Sequence, residues 1–214
     1  MPPADPTHTA AAILDAAEAL AQTRGYNGFS YRDLAARVGI TTASIHYHFP
    51  GKADLGVALM TRYGDAVRGA TADLDRRRPD APSRLRGYAA LLEAVLTTPA
   101  DADAGAAPAA PAAPAPAARV CLGAMLASDF ATLPGPVRDA VRTFVDENVR
   151  WLARVLAEGR AAGTLAFPGT PAAAATALFS ALEGAMLVAR AAGDAGRYRA
   201  AAAWVLAALA PAAA

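Results

Sequence analysis

The stretch "GFSYRDLAARVGITTASIHYHFPGKADL", residues 28–55, decides the fold. Ser30 is a favourable N-cap because its hydroxyl can accept a hydrogen bond from a backbone amide of the first helical turn. Asp33 lies at the third helical position, where a carboxylate suits the positive end of the helix dipole. These residues predict a helix over about 31–38. Gly39 then ends this helix, since glycine adopts a positive φ at little cost.

A second short helix follows the turn, capped by Thr41 and ending near His48. Ile40 and Ile45 are predicted to anchor this helix to the core, which leaves compact polar residues facing outward. Two short helices joined by a tight turn are typical of a helix-turn-helix, whose second helix fits the DNA major groove. Hydroxyl and imidazole groups can contact base edges there. The outward residues are Thr42, Ser44 and His46.

A phenol, an imidazole and an ammonium group cluster at the C-terminal end of this second helix. All three can hold DNA phosphates, which positions a protein on DNA without specifying a sequence. These groups belong to Tyr47, His48 and Lys52. Phe49 lies among them and has two interpretations. It could stack on a base, or it could pack inward against Tyr26 or Phe29, which its helical position favours.

Composition excludes several classes of protein. The chain has 214 residues, one cysteine and a formal net charge of +1. One cysteine excludes an internal disulfide framework and suits a reducing compartment. The sequence has no run of 18 apolar residues free of charge and proline, and its N-terminus lacks the basic and leucine-rich regions of a signal peptide. We therefore expect a cytoplasmic protein without a membrane span.

Helical periodicity continues through the rest of the chain, and no strand pattern competes with it. Proline and arginine over 76–82 predict a joint between domains. Residues 97–118 consist largely of alanine and proline and offer little apolar surface to bury, which predicts a mobile loop. The helices at 171–192 and 195–210 are apolar on more than one face, which predicts burial in a core or against a partner chain. The sequence thus predicts an all-α protein of about nine helices.

Residues 10–60 resemble the N-terminal DNA-binding domain of the TetR family of transcriptional regulators. The resemblance rests on a first helix that ends at Gly25, on the stretch quoted above, and on its aromatic-His-Phe cluster with the following lysine. It implies an all-α homodimer. Each subunit would have an N-terminal three-helix helix-turn-helix DNA-binding domain and a helical C-terminal domain for ligand binding and dimerisation.

The resemblance also implies which residues contact DNA. By position, base contacts fall to Thr42, Ala43, Ser44 and His46, and phosphate contacts fall to Tyr47, His48 and Lys52. At position 46 the family more often has tyrosine, so no base preference carries over to His46. The complete set of predicted DNA-binding residues is Thr41, Thr42, Ala43, Ser44, His46, Tyr47, His48 and Lys52.

The predicted organisation has four parts. A disordered tail covers 1–8, the helix-turn-helix domain covers 9–52, and a connecting helix covers 53–78. The effector-binding and dimerisation domain covers 79–214 and includes the mobile loop.

An effector pocket is predicted among the C-terminal helices, although each candidate side chain fits an ordinary core as well. Glu183 is the least ordinary, since a carboxylate buried in an apolar helix needs a partner such as Arg190, a ligand amine or the other subunit. Cys121 lies close to Arg119, and a nearby cation favours a thiolate that could sense electrophiles or oxidants. The alternative for Cys121 is an inert buried cysteine. The candidate residues are Cys121, Met125, Phe130, Phe144, Asn148, Trp151, Phe179, Glu183 and Met186.

Two other functions remain open on the sequence. A small helical enzyme or metal-binding protein would use His46 and His48, but residues two apart on a helix do not share a face. No Ser-His-Asp order, HExxH motif or Gly-rich phosphate loop supports catalysis, so we expect no enzyme activity, metal or cofactor. An architectural DNA binder without a ligand is opposed by the more than one hundred residues that follow the DNA module.

The favoured hypothesis is a ligand-responsive transcriptional regulator, most simply a repressor that a small-molecule effector releases from a near-palindromic operator. Its expected partners are double-stranded operator DNA, an unidentified effector, and a second copy bound through the helices at 171–192 and 195–210.

Overall fold

The computed structural model describes residues 6–99 and 118–211, and in this part of the chain the fold is all-α, as predicted. Short loops and one 3₁₀ turn connect the helices. The elements are α1 (Pro6–Arg24), α2 (Tyr31–Val38), α3 (Thr42–His48), α4 (Lys52–Arg77), α5 (Ala81–Thr97), α6 (Leu122–Ser128), the 3₁₀ turn (Phe130–Thr132), α7 (Gly135–Ala161), α8 (Pro171–Ala192) and α9 (Ala195–Ala207).

The first helix begins earlier than the sequence predicts. Pro6 is its first residue, so residues 6–8 belong to α1 and not to a disordered tail over 1–8. Proline suits this position because its φ is preset for a helix and its missing N–H would have no intrahelical acceptor. Residues 1–5 and 100–117 lie outside the described residues, and with them the rest of that tail and most of the predicted loop over 97–118.

The chain divides into two compact units. The first consists of Met1–Tyr63 and Thr98–Val141, and the second of Gly64–Thr97 and Arg142–Ala214. This division differs from the predicted domain boundary at 79, because α4 and α7 each contribute residues to both units.

The first unit is built around α1, α2, α3 and the N-terminal part of α4. Arg62 of α4 binds α1 through ion pairs with Asp15 at 2.6 Å and Glu18 at 2.9 Å. The backbone amide of Val120 donates to the carbonyl of Gln22 at 3.3 Å, so the segment leading into α6 also packs against α1. That contact explains why residues beyond the predicted boundary join this unit. The fully buried large side chains here include Ile13, Leu34, Ile45, Leu55 and Leu59.

The second unit is fixed by hydrogen bonds from two buried tyrosines of different helices. The hydroxyl of Tyr88 on α5 donates to Oδ1 of Asn148 on α7 at 2.8 Å. The hydroxyl of Tyr198 on α9 donates to the carbonyl of Ala89 on α5 at 2.7 Å. A buried hydroxyl without a partner costs about 1–3 kcal/mol, so these bonds select one register of α5 against α7 and α9.

Among the described residues, α8 is long and apolar enough to cross a membrane by length and composition alone. An 18-residue window within it has a mean hydropathy of 1.6, and 39% of that window is buried inside the chain. The sequence predicts no span because Glu183 interrupts the apolar run, and this carboxylate is only 6% exposed. The core helix of a soluble protein has the same length and composition, so a single helix of this kind does not indicate insertion.

Candidate nucleic-acid interface

A complete capping box starts α2. Oγ of Ser30 accepts a hydrogen bond from the Asp33 amide. In return, Oδ2 of Asp33 accepts from the Ser30 amide at 2.7 Å and from the Ser30 hydroxyl at 2.6 Å. The hydrogen bond from the Ser30 side chain, and then the one from its backbone, lower the pKa of Asp33. The carboxylate is therefore held at the end of the helix where the dipole favours a negative charge.

Gly39 makes the turn between α2 and α3. Its φ of 75° lies in the left-handed region, and its amide donates to the carbonyl of Ala35 at 2.9 Å. Thr41 then caps α3 by accepting a hydrogen bond from the Ser44 amide at 3.1 Å. Ile45 is completely buried. The turn and the cap thus fix a short helix with one face in the core.

The opposite face of α3 is exposed. It consists of Thr42, Ala43, His46 and Tyr47. Tyr47 is 79% exposed to solvent, which is unusual for a large aromatic side chain unless it contacts a binding partner. The hydroxyls of Thr41 and Ser44 lie 2.9 Å apart and share a hydrogen bond within the cap. Ser44 and His48 are half-buried, so they stand at the edges of this face.

The imidazole of His46 is held by two neighbours. Its Nδ1 lies 3.1 Å from the carbonyl oxygen of Pro50. Its ring centroid lies 4.7 Å from that of Tyr31, with the planes tilted by 59°. The hydroxyl of Tyr31 donates to the carbonyl of Phe49 at 2.9 Å, so Tyr31 is itself fixed. Burial, and then the nearby carboxylate of Asp54, raise the pKa of Tyr31 to about 12.

The two histidines of α3 have different neighbours. The ring of His48 meets the ring of Tyr47 edge-on, with centroids 5.2 Å apart. His46 instead faces Tyr31 and Pro50. Within residues 6–99 and 118–211, no group of three or more His, Cys, Asp or Glu side chains could hold a metal ion. The geometry therefore gives His46 and His48 separate environments.

Lys52 differs most from its predicted position as an outward phosphate contact. Its Nζ donates to the carbonyl of Phe29 and lies 4.4 Å from the Phe29 ring centroid and 4.8 Å from that of Tyr26. Burial lowers the pKa of Lys52, while the carboxylates of Asp33 and Asp129 act in the opposite direction. The ammonium thus joins the start of α4 to the loop before α2. Its contact with phosphate stays a prediction.

Phe49 packs inward, as its helical position predicts. It is 8% exposed, and its amide donates to the carbonyl of Ile45 at 2.8 Å, which closes α3. Base stacking by this ring is therefore not supported.

Sequence reasoning missed two residues that hold this interface. Tyr31 supports His46, and an aromatic side chain at the first position of α2 could have suggested such a contact. Asp129 accepts a hydrogen bond from the Tyr26 amide at 2.8 Å, and no local pattern indicates a contact across 103 positions of sequence. Beside it, the side-chain Nδ2 of Asn27 donates to Oγ1 of Thr132 at 2.7 Å.

The predicted effector residues are divided between the two compact units, and their role stays a prediction. Three of them belong to the first compact unit, where Cys121 is 1% exposed, and this burial favours the inert interpretation of its thiol. The other six belong to the second unit. Phe179, Glu183 and Met186 lie on the buried side of α8, and Phe144 lies on the buried side of α7. The three in the first unit are Cys121, Met125 and Phe130.

Asn148 and Trp151 both line a cleft of about 400 Å³ between α4 and α7. The Trp151 ring stacks on Tyr88 with centroids 5.5 Å apart, and its Nε1 donates to Oδ2 of Asp75 at 3.1 Å. Arg154 donates to the same oxygen at 2.5 Å. The lining residues are Gly64, Val67, Arg68, Thr71, Ala72, Asp75, Glu147, Asn148, Arg150, Trp151 and Arg154.

Comparison with known proteins identifies the family. The family model described as "Bacterial regulatory proteins, tetR family" matches residues 13–59, and the one described as "Tetracyclin repressor-like, C-terminal domain" matches residues 109–205. A TetR-family transcriptional regulator from Agrobacterium tumefaciens is 35% identical, with a TM-score of 0.84 over 97% of this chain and 100% of that one. The chain belongs to the TetR family of transcriptional regulators.

Other members of the TetR family are more distant. A TetR transcriptional regulator from Legionella pneumophila is 28% identical, with a TM-score of 0.77 over 98% of this chain and 100% of that one. A TetR-family transcriptional regulator from Streptomyces coelicolor shares the fold at 18% identity, with a TM-score of 0.71 over 96% of this chain and 97% of that one. No curated protein matches the sequence. As a TetR-family member, the chain is a DNA-binding transcriptional regulator, and the exposed face of α3 is its candidate reading surface.

Proposed function

We propose that this regulator is a cytoplasmic, ligand-responsive repressor that binds a near-palindromic operator as a homodimer and leaves it when a small molecule binds. The observation that carries the proposal is the division of α3 into a buried Ile45 and an exposed face. A rigid helix with small and polar exposed side chains fits a major groove, where each base pair presents a distinct pattern of donors and acceptors. The exposed residues are Thr42, Ala43, His46 and Tyr47.

The dimer interface is assigned to α8 and α9. Among the described residues, the exposed large apolar side chains other than Tyr47 are Leu187, Val188 and Trp204, all on these two helices. Trp204 is 74% exposed and borders an apolar groove of about 420 Å³ between α8 and α9. A second copy covers this surface most simply, since a two-fold axis brings the same apolar face to itself. Such a dimer must present its two α3 helices about 34–36 Å apart, one turn of DNA.

The effector is assigned to the second compact unit, at the cleft that Asn148 and Trp151 line. A ligand there would contact the residues of α4 that follow Tyr63, and the same helix begins at Lys52 in the first unit. An effector that favours an arrangement of α4 that is unsuited to operator binding would weaken DNA binding. By linkage, DNA would weaken effector binding by the same factor.

The proposal is tested by operator binding of the full chain and its variants over a range of salt concentrations. Replacing a phosphate contact should weaken binding to every duplex and reduce the slope of log K against log salt by about one. Lys52→Ala is the variant for this effect, and an unchanged slope would assign the Lys52 ammonium to its inward contact with the Phe29 carbonyl. Arg142→Ala removes the same charge from an exposed position of α7 and should leave the slope unchanged.

Base contacts are expected to behave differently from phosphate contacts. Thr42→Ala and His46→Ala should change which operator is preferred, with about three- to tenfold discrimination lost at a single position, the effect of one neutral hydrogen bond. A wild-type dimer that showed no salt-dependent binding to the DNA upstream of its own gene would contradict the repressor function.

A further inference from the structure

The contact between His46 and Pro50 determines which ring nitrogen carries the proton. Nδ1 lies 3.1 Å from the Pro50 carbonyl oxygen. A carbonyl oxygen can only accept a hydrogen bond, so Nδ1 must be the donor. In a neutral imidazole one nitrogen donates and the other accepts. In its neutral form, with Nδ1 donating to Pro50, His46 therefore has a lone pair on Nε2, which can accept a hydrogen bond.

The imidazole is also held in one orientation. Tyr31 lies against one side of the ring at a centroid distance of 4.7 Å, and the Tyr31 hydroxyl is bound to the Phe49 carbonyl. Pro50 holds Nδ1 from the end of the same helix. Because both neighbours are fixed by the backbone around α3, a ring flip, which would put Cδ2 in the place of Nδ1, would lose the Pro50 hydrogen bond.

His46 lies on the exposed face of α3, one helical turn after Thr42. In the major groove, the hydrogen-bond donors on base edges are the amino groups at N6 of adenine and N4 of cytosine, whereas guanine presents the acceptors N7 and O6. We propose that Nε2 of His46 accepts a hydrogen bond from the major-groove amino group, N6 of adenine or N4 of cytosine, of the base pair that this residue reads. This inference rests on the proposed binding of DNA by α3.

The experiment begins with selection of duplexes from a randomised pool by the full-length wild-type protein and by His46→Ala. The base pair whose preference disappears in His46→Ala is the one read by this residue. In the selected wild-type duplex, the amino-bearing base at that pair is then replaced by its analogue without the amino group. Purine replaces adenine, or 2-pyrimidinone replaces cytosine.

The expected result is a specific coupling between protein and base. Loss of the amino group should weaken binding of the wild type by about three- to tenfold, the effect of one neutral hydrogen bond, and should not change binding of His46→Ala. An equal loss in both proteins, or an unchanged affinity of the wild type for the duplex without the amino group, would overturn the inference. Failure to bind any selected duplex would overturn the proposed function as well.

Tyr31 is the positioning residue for this contact, and it has its own test. Tyr31→Leu removes the ring that holds the imidazole and should reduce the ratio of affinities for the duplexes with and without the amino group. A merely structural defect would lower both affinities equally and leave the ratio at its wild-type value. An unchanged ratio in a folded Tyr31→Leu protein would show that Pro50 alone holds the imidazole. Tyr31 would then have no part in the inference.

Discussion

Oδ2 of Asp129 accepts a hydrogen bond from the backbone amide of Tyr26 at 2.8 Å, although 103 positions separate the two residues. The same oxygen lies 2.7 Å from where a Cβ at Gly25 would be. The φ of Gly25 is +79°, a region that other residues rarely adopt. The loop between α1 and α2 is therefore shaped by its own glycine and by the carboxylate of the residue between α6 and the 3₁₀ turn.

Removing this carboxylate should destabilise the first compact unit. Asp129→Ala leaves the Tyr26 amide without its acceptor, and we expect the free energy of unfolding in urea to fall by about 1–2 kcal/mol. Asp146→Ala, at an exposed position of α7, is the control and should change it by less than about 0.5 kcal/mol. Gly25→Ala should also destabilise, and part of its cost should disappear in the double variant because the Cβ no longer meets the carboxylate. Strict additivity would contradict the steric component.

The capping box of α2 should give an acid-dependent contribution to stability. The pKa of Asp33 lies below its ordinary value of 3.8 in the folded chain, so its contribution is present above that value and is lost as pH falls through the folded pKa. Ser30→Ala should cost about 1 kcal/mol near pH 7 and progressively less below about pH 4. Thr41→Ala removes a cap that contains no carboxylate, so its cost should not depend on pH in that range. Urea titrations at several pH values measure both differences.

Tyr31 should make the protein sensitive to alkali. Its pKa is raised from 10.0 to about 12 in the folded chain, so its contribution is complete below pH 10 and is lost as pH rises towards about 12. Burial also raises the pKa of Tyr26, so the absorbance of the phenolate should show more than one late-titrating group, of which one is missing in Tyr31→Phe. That variant should also lose less stability than the wild type between pH 10 and pH 12. Identical alkaline profiles would show that the ring is as accessible as in the unfolded chain.

Lys52 is the single lysine of the sequence, which makes its amine selectively observable. Reductive methylation with ¹³C labels this amine and the N-terminal one, and the two differ in chemical shift. We expect Lys52 to titrate below its ordinary pKa of 10.5, because burial disfavours the charged form. At pH values between the folded pKa and the ordinary pKa, this amine binds more protons in the unfolded state than in the folded state. Its contribution to the free energy of unfolding should therefore rise with pH in that range. The reference is the same methylated amine in the urea-unfolded chain, and a folded resonance that titrates above it would contradict the inward position of the ammonium.

The assignment of the dimer to α8 and α9 predicts monomeric variants. Trp204→Glu and Val188→Glu each place a charge on an apolar surface that the partner should bury, which strongly disfavours association. Light scattering should give the mass of one 21.7 kDa chain for these variants and twice that mass for the wild type. Tyr47→Glu changes an equally exposed aromatic residue on α3 and should remain dimeric while binding DNA more weakly.

The parts of the fold that follow from short-range chemistry could be predicted from the sequence. Ser30, Gly39 and Thr41 act on backbone groups within four positions of themselves, and they located α2 and α3. The position of Lys52 could not be predicted, because its acceptor is the Phe29 carbonyl, 23 positions away. The effector residues illustrate the same limit. In the sequence, Cys121 and Trp151 both fit the pattern of core residues. Only contacts between residues far apart in the chain assign them to different compact units.

The first compact unit combines two separated stretches of chain, Met1–Tyr63 and Thr98–Val141. A chimaeric biosensor that joined only the first stretch to a foreign sensing module would lose the acceptor of the Tyr26 amide and the donor to the Gln22 carbonyl. The DNA-binding helices of this protein therefore cannot be transferred to another protein by cutting the chain within α4. A working graft must carry residues up to Val141 along, or its new module must bring a carboxylate to the loop at Gly25.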